Sequence, residues 1–196
     1  MEKIDIHDTQ GDYDKALIHL KKDVSKRNYD VIKTFLDASA IGKTARKNAH
    51  KKQVGMRARL KNIFLLKVAI KFLKKDLDKL EVIDMEKLIK GFNENKIRKV
   101  NGDNYSEQTK SNLKITLIAF LRYTIKDSSR VAELTDWIET SFKNKEIPAL
   151  TEEEIMKLLS KCYTLQQKVL ISCLFDTGAR IEEFLNIRLS DVIEVK

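Results

Sequence analysis

Two groups of residues in this sequence are of types that handle phosphate. The first is Arg180 with Glu183, set just after Gly178 in the run Asp176-Thr177-Gly178-Ala179-Arg180-Ile181-Glu182-Glu183. A guanidinium presents a planar fork that grips two phosphate oxygens at once, which an ammonium cannot do. A glycine cap lets the chain turn sharply between two helices, so Arg180 is expected in the first turn of the second one, beside unpaired backbone N–H groups. Guanidinium and helix N-terminus then favour the same anion. Glu183, three residues on, shares a face with Arg180 and can orient it. The same spacing also makes plain surface ion pairs. One arginine, moreover, holds a phosphate without breaking it.

The second group is a block of cations. Between Ala38 and Lys75 there is no Asp or Glu, while Lys43, Arg46, Lys47, Lys51, Lys52, Arg57, Arg59, Lys61, Lys67, Lys71, Lys74 and Lys75 all fall there. The chain carries a net charge of +9, and this stretch holds essentially all of the surplus. A solvated lysine face would usually interleave glutamates for i,i+4 support. Without them, an unbroken basic run on helices attracts a polyanion, of which nucleic acid is the common one.

The elements that must position these groups are helical by their apolar spacing nearly throughout. Helices are expected over Tyr13 to Val24, Tyr29 to Ser39 and Val54 to Lys75, the last with Leu65, Leu66, Ala69, Ile70, Phe72 and Leu73 on one face and cations opposite. Asp84 is expected to cap a short helix through Phe92, and Asn101-Gly102-Asp103-Asn104 reads as a surface turn. Ser106 caps a helix to Ile125 whose edge carries Lys110, Lys114, Arg122 and Lys126, a second and weaker basic helix. Trp137 with Ile138 is expected to close the small bundle. The lone proline, Pro148, sits in a linker at 144–150. The next helix opens on a capping box of Thr151 and Glu154 with Leu150 and Ile155 as a hydrophobic staple. Helices over Leu165 to Asp176 and Arg180 to Ile187 follow, and Val192 to Val195 alternates like the start of a strand.

Composition sets the outer limits. At 42% hydrophobic and 34% charged, the 196 residues describe a surface-charged globular chain with room for one good core or two small domains. No apolar run approaches the roughly 18 residues a spanning helix needs. The first eight residues lack the apolar core of a signal peptide, so a cytoplasmic protein is expected. Cys162 and Cys173 lack zinc-ligand spacing and read as buried, reduced thiols. No metal, cofactor or small-molecule substrate is expected.

The joint pattern resembles the tyrosine recombinases, or phage-type integrases, and looks closest to their archaeal, Xer-like branch. Thr177-Gly178-Ala179-Arg180-Ile181-Glu182-Glu183, then Ile187, then Asp191-Val192, is similar to the first catalytic motif of that family. A basic helical bundle, a short linker and Leu150-Thr151-Glu152-Glu153-Glu154-Ile155 entering the next domain follow the family's order of parts. The resemblance covers roughly Tyr29 to Lys196. It implies a mainly α chain: an N-terminal extension and helix (1–27), a SAM-like core-binding helical bundle (28–143), the linker, and the first helices of an α+β catalytic domain (151–196). It implies that Arg180 clamps the scissile phosphate, that Glu183 supports the site, and that the helices Val54–Lys75 and Ser106–Ile125 face double-stranded DNA, with tetramers forming on DNA in the complete enzyme.

The resemblance also implies groups that this sequence lacks. The family's lysine on a β-hairpin, its His-x-x-Arg pair, its second His or Trp and its tyrosine nucleophile all follow this motif. Here Tyr13, Tyr29, Tyr105, Tyr123 and Tyr163 precede Arg180, and His7, His19 and His50 lie in the N-terminal half. The expectation is therefore the DNA-binding N-terminal portion of a recombinase, unable to cut alone. A stand-alone DNA-binding fragment that occupies recombination sites, and a helical interaction scaffold, are the alternatives.

Overall fold

A computed structural model describes residues 8–44, 53–142 and 148–188. Among these residues the chain is mainly α, with nine α-helices, a 3-10 turn at Leu77–Lys79 and no strand. They fall into two units, residues 8–142 and residues 148–188. The linker residues 144–147, the apolar alternation at 192–195 and the Asp191-Val192 end of the motif lie outside the described residues.

The first unit holds α1 (Thr9–Asp23), α2 (Lys26–Ala40), α3 (Met56–Leu73), α4 (Val82–Asn93), α5 (Glu107–Thr124) and α6 (Ser128–Thr135). The caps explain where these begin. The Asp8 carboxylate accepts the Gly11 N–H, which starts α1 a turn earlier than the apolar spacing suggests. Ser25 accepts from Asn28, and so draws Lys26 to Asn28 into α2. Ser106 accepts from Thr109 at the head of α5, as expected. Asp84 does not cap α4 from outside. Glu81 is the N-cap, and Asp84 sits inside the first turn with its carboxylate reaching back to the Glu81 N–H at 3.1 Å. The helix α6 had a signal that the apolar pattern passes over: Asp127 accepts from both Ser129 and Arg130.

The helix α3 is the axis of this unit and packs against α1, α2, α4 and α5. Its buried side is Ile63, Leu65, Leu66, Ala69, Ile70 and Leu73. Phe35 of α2 meets the edge of Phe120 of α5 at 5.4 Å between ring centres and lies 5.9 Å from the Tyr123 ring. At Lys74 the backbone enters the left-handed region and ends the helix, so Leu77 and Leu80 turn into the core. Ile138 is buried there too, whereas Trp137 stays 45% exposed and does not close the bundle.

The second unit holds α7 (Glu152–Ser160), α8 (Leu165–Thr177) and the single turn α9 (Ile181–Phe184), with α7 packed on α8. Thr151 and Glu154 form the expected capping box at 3.3 and 2.9 Å. Ile155 is buried but Leu150 is largely exposed. Cys162 and Cys173 are free thiols, as expected, but partly exposed rather than buried. In this unit Met156, Leu165, Val169, Phe175, Ile181 and Leu185 remain exposed, so two helices and a turn do not enclose a core.

Candidate functional site

The arginine motif is built by local hydrogen bonds. Gly178 ends α8 in the left-handed region, φ 62°, and donates its N–H to Leu174 O at 3.0 Å. Thr177 Oγ1 donates to Cys173 O at 2.6 Å and accepts from the Ala179 N–H at 3.2 Å, which fixes the turn. Arg180 then lies extended, as the residue before α9 rather than in its first turn. The helix ends at Phe184, not Ile187, and four residues carry little dipole. The Arg180 N–H is itself taken by Glu183 Oε2 at 3.2 Å. An anion held here is therefore held by the guanidinium, not by a helix end.

Glu183 Oε1 accepts from Arg180 Nη1 at 3.0 Å. One carboxylate thus binds both the backbone and the side chain of Arg180 and sets its direction. The Arg180 side chain is 85% exposed, so the pair adds little to stability. It does leave the other nitrogens of the fork open to a ligand. Tyr163 stands at the far end of α8, whose 13 residues put it about 20 Å from Gly178 along the axis.

The predicted DNA-binding residues divide into three sets. Arg46, Lys47, Lys51 and Lys52 lie outside the described residues. Lys61 and Lys71 share the outward face of α3 with Phe64, an aromatic ring 55% exposed among cations, and Arg57 is exposed beside them while its Nε donates to Thr9 Oγ1 of α1 at 3.4 Å. Lys74 is exposed at the end of that helix and, with Lys22, Lys71 and Lys75, rims an open groove. Lys43 and Arg122 meet across a pocket of about 380 Å³ that also holds Ile115 and Thr44.

The third set is engaged within the fold. Lys67 reaches Asp23 at 2.5 Å, tying α3 to the end of α1. Lys110 is 6% exposed, with its ammonium donating to Asn95 Oδ1 and Glu107 Oε1 at 2.9 and 2.8 Å. Lys114 donates to Glu139 O at 3.1 Å, and Arg122, which also lines the pocket with Lys43, belongs here because it lies 3.5 Å from Asp136. Charge spacing on α5 places these cations along one edge, but only their neighbours reveal that the edge is a seam. Arg59 also turns inward, its guanidinium 5.0 Å from the centre of the Tyr13 ring.

Phe64, Arg98 and Lys99 carry no signal in the sequence that marks them for a site. Phe64 belongs to a helix whose charges dominate its pattern, and the other two border a segment with the composition of a plain turn. Among the described residues no group of three His, Cys, Asp or Glu can hold a metal ion, and no helix is long and apolar enough to cross a membrane.

Comparison with known proteins supplies the context for these groups. The chain is distantly homologous to Tyrosine recombinase XerA of Saccharolobus solfataricus, 30% identical over 128 residues that make up 62% of this chain and 40% of that protein. It is also similar to Transposase A from transposon Tn554 of Staphylococcus aureus, 31% identical over 51 residues, 26% of this chain and 14% of that one. The chain therefore spans less than half the length of these curated relatives. No protein-family model matches it. No solved structure matches it either.

Proposed function

We propose that this chain is the DNA-holding N-terminal portion of a site-specific tyrosine recombinase that breaks and rejoins DNA through a phosphotyrosine in the complete protein. The observation that carries the reading is Arg180: exposed, aimed by Glu183 and set directly after the Gly178 turn, in a chain distantly homologous to a tyrosine recombinase. In that reaction a tyrosine from outside this chain attacks the scissile phosphorus. The new O–P bond forms as the bond to the neighbouring deoxyribose oxygen breaks, and that oxygen leaves as a hydroxyl. Reversal with a different strand's hydroxyl rejoins DNA. The phosphodiester energy is kept in the phosphotyrosine, so no nucleotide is consumed. Arg180 binds the non-bridging oxygens and stabilises the charge that builds on them.

Residues 8–142 hold the duplex, with Lys43, Arg57, Lys61, Lys71 and Lys74 at phosphates and Arg46, Lys47, Lys51 and Lys52 part of the same basic block. Lys67, Lys110, Lys114 and Arg122 strengthen the field while serving the fold. The setting is cytoplasmic, and the complete enzyme assembles as several copies on DNA.

Binding to a labelled duplex should weaken linearly on a log–log plot against salt, with a slope near −0.9 for each phosphate neutralised. Lys61→Glu with Lys71→Glu should weaken binding to all sequences alike. Binding that ignores salt would point to a helical scaffold instead. In the complete enzyme Arg180→Ala should slow strand cleavage by about 10²–10³. Undiminished cleavage would remove the role assigned to Arg180.

A further inference from the structure

The connection between α4 and α5 is more ordered than a surface turn needs to be. Ile97 is buried against Gly91, where a Cβ would stand 2.8 Å from the Phe72 ring and 3.2 Å from Ile97 itself. Tyr105 anchors the other end, edge-on to Phe92 at 6.0 Å. Between them Arg98 and Asn104 form an antiparallel bridge. Lys99 N–H donates to Asp103 O at 2.9 Å and Gly102 N–H to Lys99 O at 3.0 Å, with Gly102 at φ 86°. The Asn101 amide donates to the Asp103 carboxylate at 2.8 Å. The result is a short, closed hairpin with its backbone already fixed.

Its apex is Val100, with no part of its side chain covered. Lys99 and Arg98 stand beside it and are exposed. Arg98 Nε donates to Asn95 O at 3.2 Å, and among the described residues no carboxylate lies within 4.0 Å of either cation. The hairpin forms one wall of a groove of about 610 Å³ whose other wall is α3. Lys67, Lys71, Lys96 and Arg98 line it together with Phe64 and Val68; Lys67 is held by Asp23 and Lys96 by Glu94, which leaves Lys71 and Arg98 as its cations with no carboxylate within 4.0 Å among the described residues.

We propose that the 98–104 hairpin is a second DNA-contacting element, seated in the minor groove beside the duplex face held by α3. This rests on the DNA-binding reading above. Arg98 and Lys99 contact phosphates of the groove wall, and Val100 packs on deoxyribose and base edges at its floor. A minor groove is about 6 Å wide, too narrow for both arms of the hairpin, so only the apex enters it: one aliphatic residue with cations on its flank, which is the chemistry of a minor-groove wedge. Apolar side chains inserted there are a known way of widening or kinking a duplex. The closed backbone means that little ordering entropy is lost on binding. An acidic protein surface would also meet the cations. The groove's continuity with the cationic face of α3 through Lys71 favours one long polyanion over a separate partner.

The test is anisotropy of the full chain with a fluorescein-labelled duplex of mixed sequence, across a salt series. Lys99→Ala should lower the magnitude of the log–log salt slope by about 1. Val100→Ser should weaken binding about three- to tenfold with the slope unchanged, because Val100 brings apolar area to the groove and no charge. Both side chains are exposed, so melting temperatures should match the parent. Parent-like binding by both variants, while Lys61→Glu with Lys71→Glu binds weakly, overturns the hairpin proposal and leaves the α3 reading standing. Salt-independent or absent binding by the parent overturns both. Binding to polyglutamate that needs Lys99 and Val100, with no such need on the duplex, would assign the hairpin to an acidic protein surface and overturn the proposal too.

Discussion

Asp84 shows how a single carboxylate is held ionised by its neighbours. Burial pushes its pKa up, but the Lys75 ammonium at 2.8 Å, the Glu81 N–H and the charge of Lys87 outweigh this and bring it below the ordinary carboxylate value. Hydrogen bonding from Arg27 lowers Asp78 in the same way, against its own desolvation. A folded pKa below the unfolded one contributes stability that is present above the unfolded value and lost as pH falls through the folded value. The unfolded value for Asp is about 3.9, so stability should hold near neutrality and fall as pH drops below about 4. Thermal melts across that range check the sign, and Asp84→Asn should make the acid limb shallower. Asp84→Ala, which removes the acceptor for both Glu81 and Lys75, should cost about 1.5–3 kcal/mol. At Arg180 the balance differs: its partner Glu183 is exposed, so Glu183→Gln should leave the melting temperature nearly unchanged while loosening the guanidinium's direction. In the complete enzyme that loss should appear in the cleavage rate rather than in DNA affinity.

Between elements, the most informative residue is Asn28. It is 4% exposed inside α2, donates its amide to Lys75 O at 3.2 Å and accepts from the Leu77 N–H at 2.9 Å. One side chain thus supplies both partners that the backbone needs where α3 ends and the chain turns into the core. Ser25 and Arg27 of the same segment reach Asp76 and Asp78, so the start of α2 is bound to this turn along its length. Asn28→Ala should orphan a buried N–H and cost about 1–3 kcal/mol, read as a lower urea midpoint with unchanged slope. The helix α3 illustrates a division of labour on one surface. Its inward face makes the core, Lys67 and Arg57 reach α1 at Asp23 and Thr9, and Lys61 and Lys71 remain on the outward face. A charge reversal at Lys67 would therefore confuse weaker binding with weaker packing, and Lys61 is the cleaner position to change.

At the scale of the whole molecule, the two units differ in what they can do alone. Residues 8–142 bury a continuous core through α1 to α6, whereas residues 148–188 bury little and expose Met156, Leu165, Val169 and Phe175. A fragment of residues 8–142 should melt in one cooperative transition close to that of the full chain, and a fragment of residues 148–188 should show no cooperative transition by calorimetry. Equal cooperativity in the two fragments would contradict this account of the cores. Most helix positions were legible without any structure because their causes are local, although α6 was passed over and α9 stops at Phe184. Thr151 and Glu154, Ser106, and Gly178 each satisfy backbone groups within a few residues, and the 3.6-residue apolar period marks the buried side. The cationic surplus between Ala38 and Lys75 was legible for the same reason, since charge is a property of composition. Direction was not. Lys110 and Lys114 stand at the same helical spacing as surface cations, yet Asn95, which meets Lys110, lies 15 residues away and Glu139, which meets Lys114, lies 25. Val100 reads as part of a plain turn until the bridge of Arg98 to Asn104 and the anchoring of Ile97 lift it clear of the surface. Local chemistry thus settled which segments become helices and where positive charge accumulates. Only packing between distant segments decided which cations are spent inside the fold and which face outward, because that depends on neighbours no spacing rule can supply.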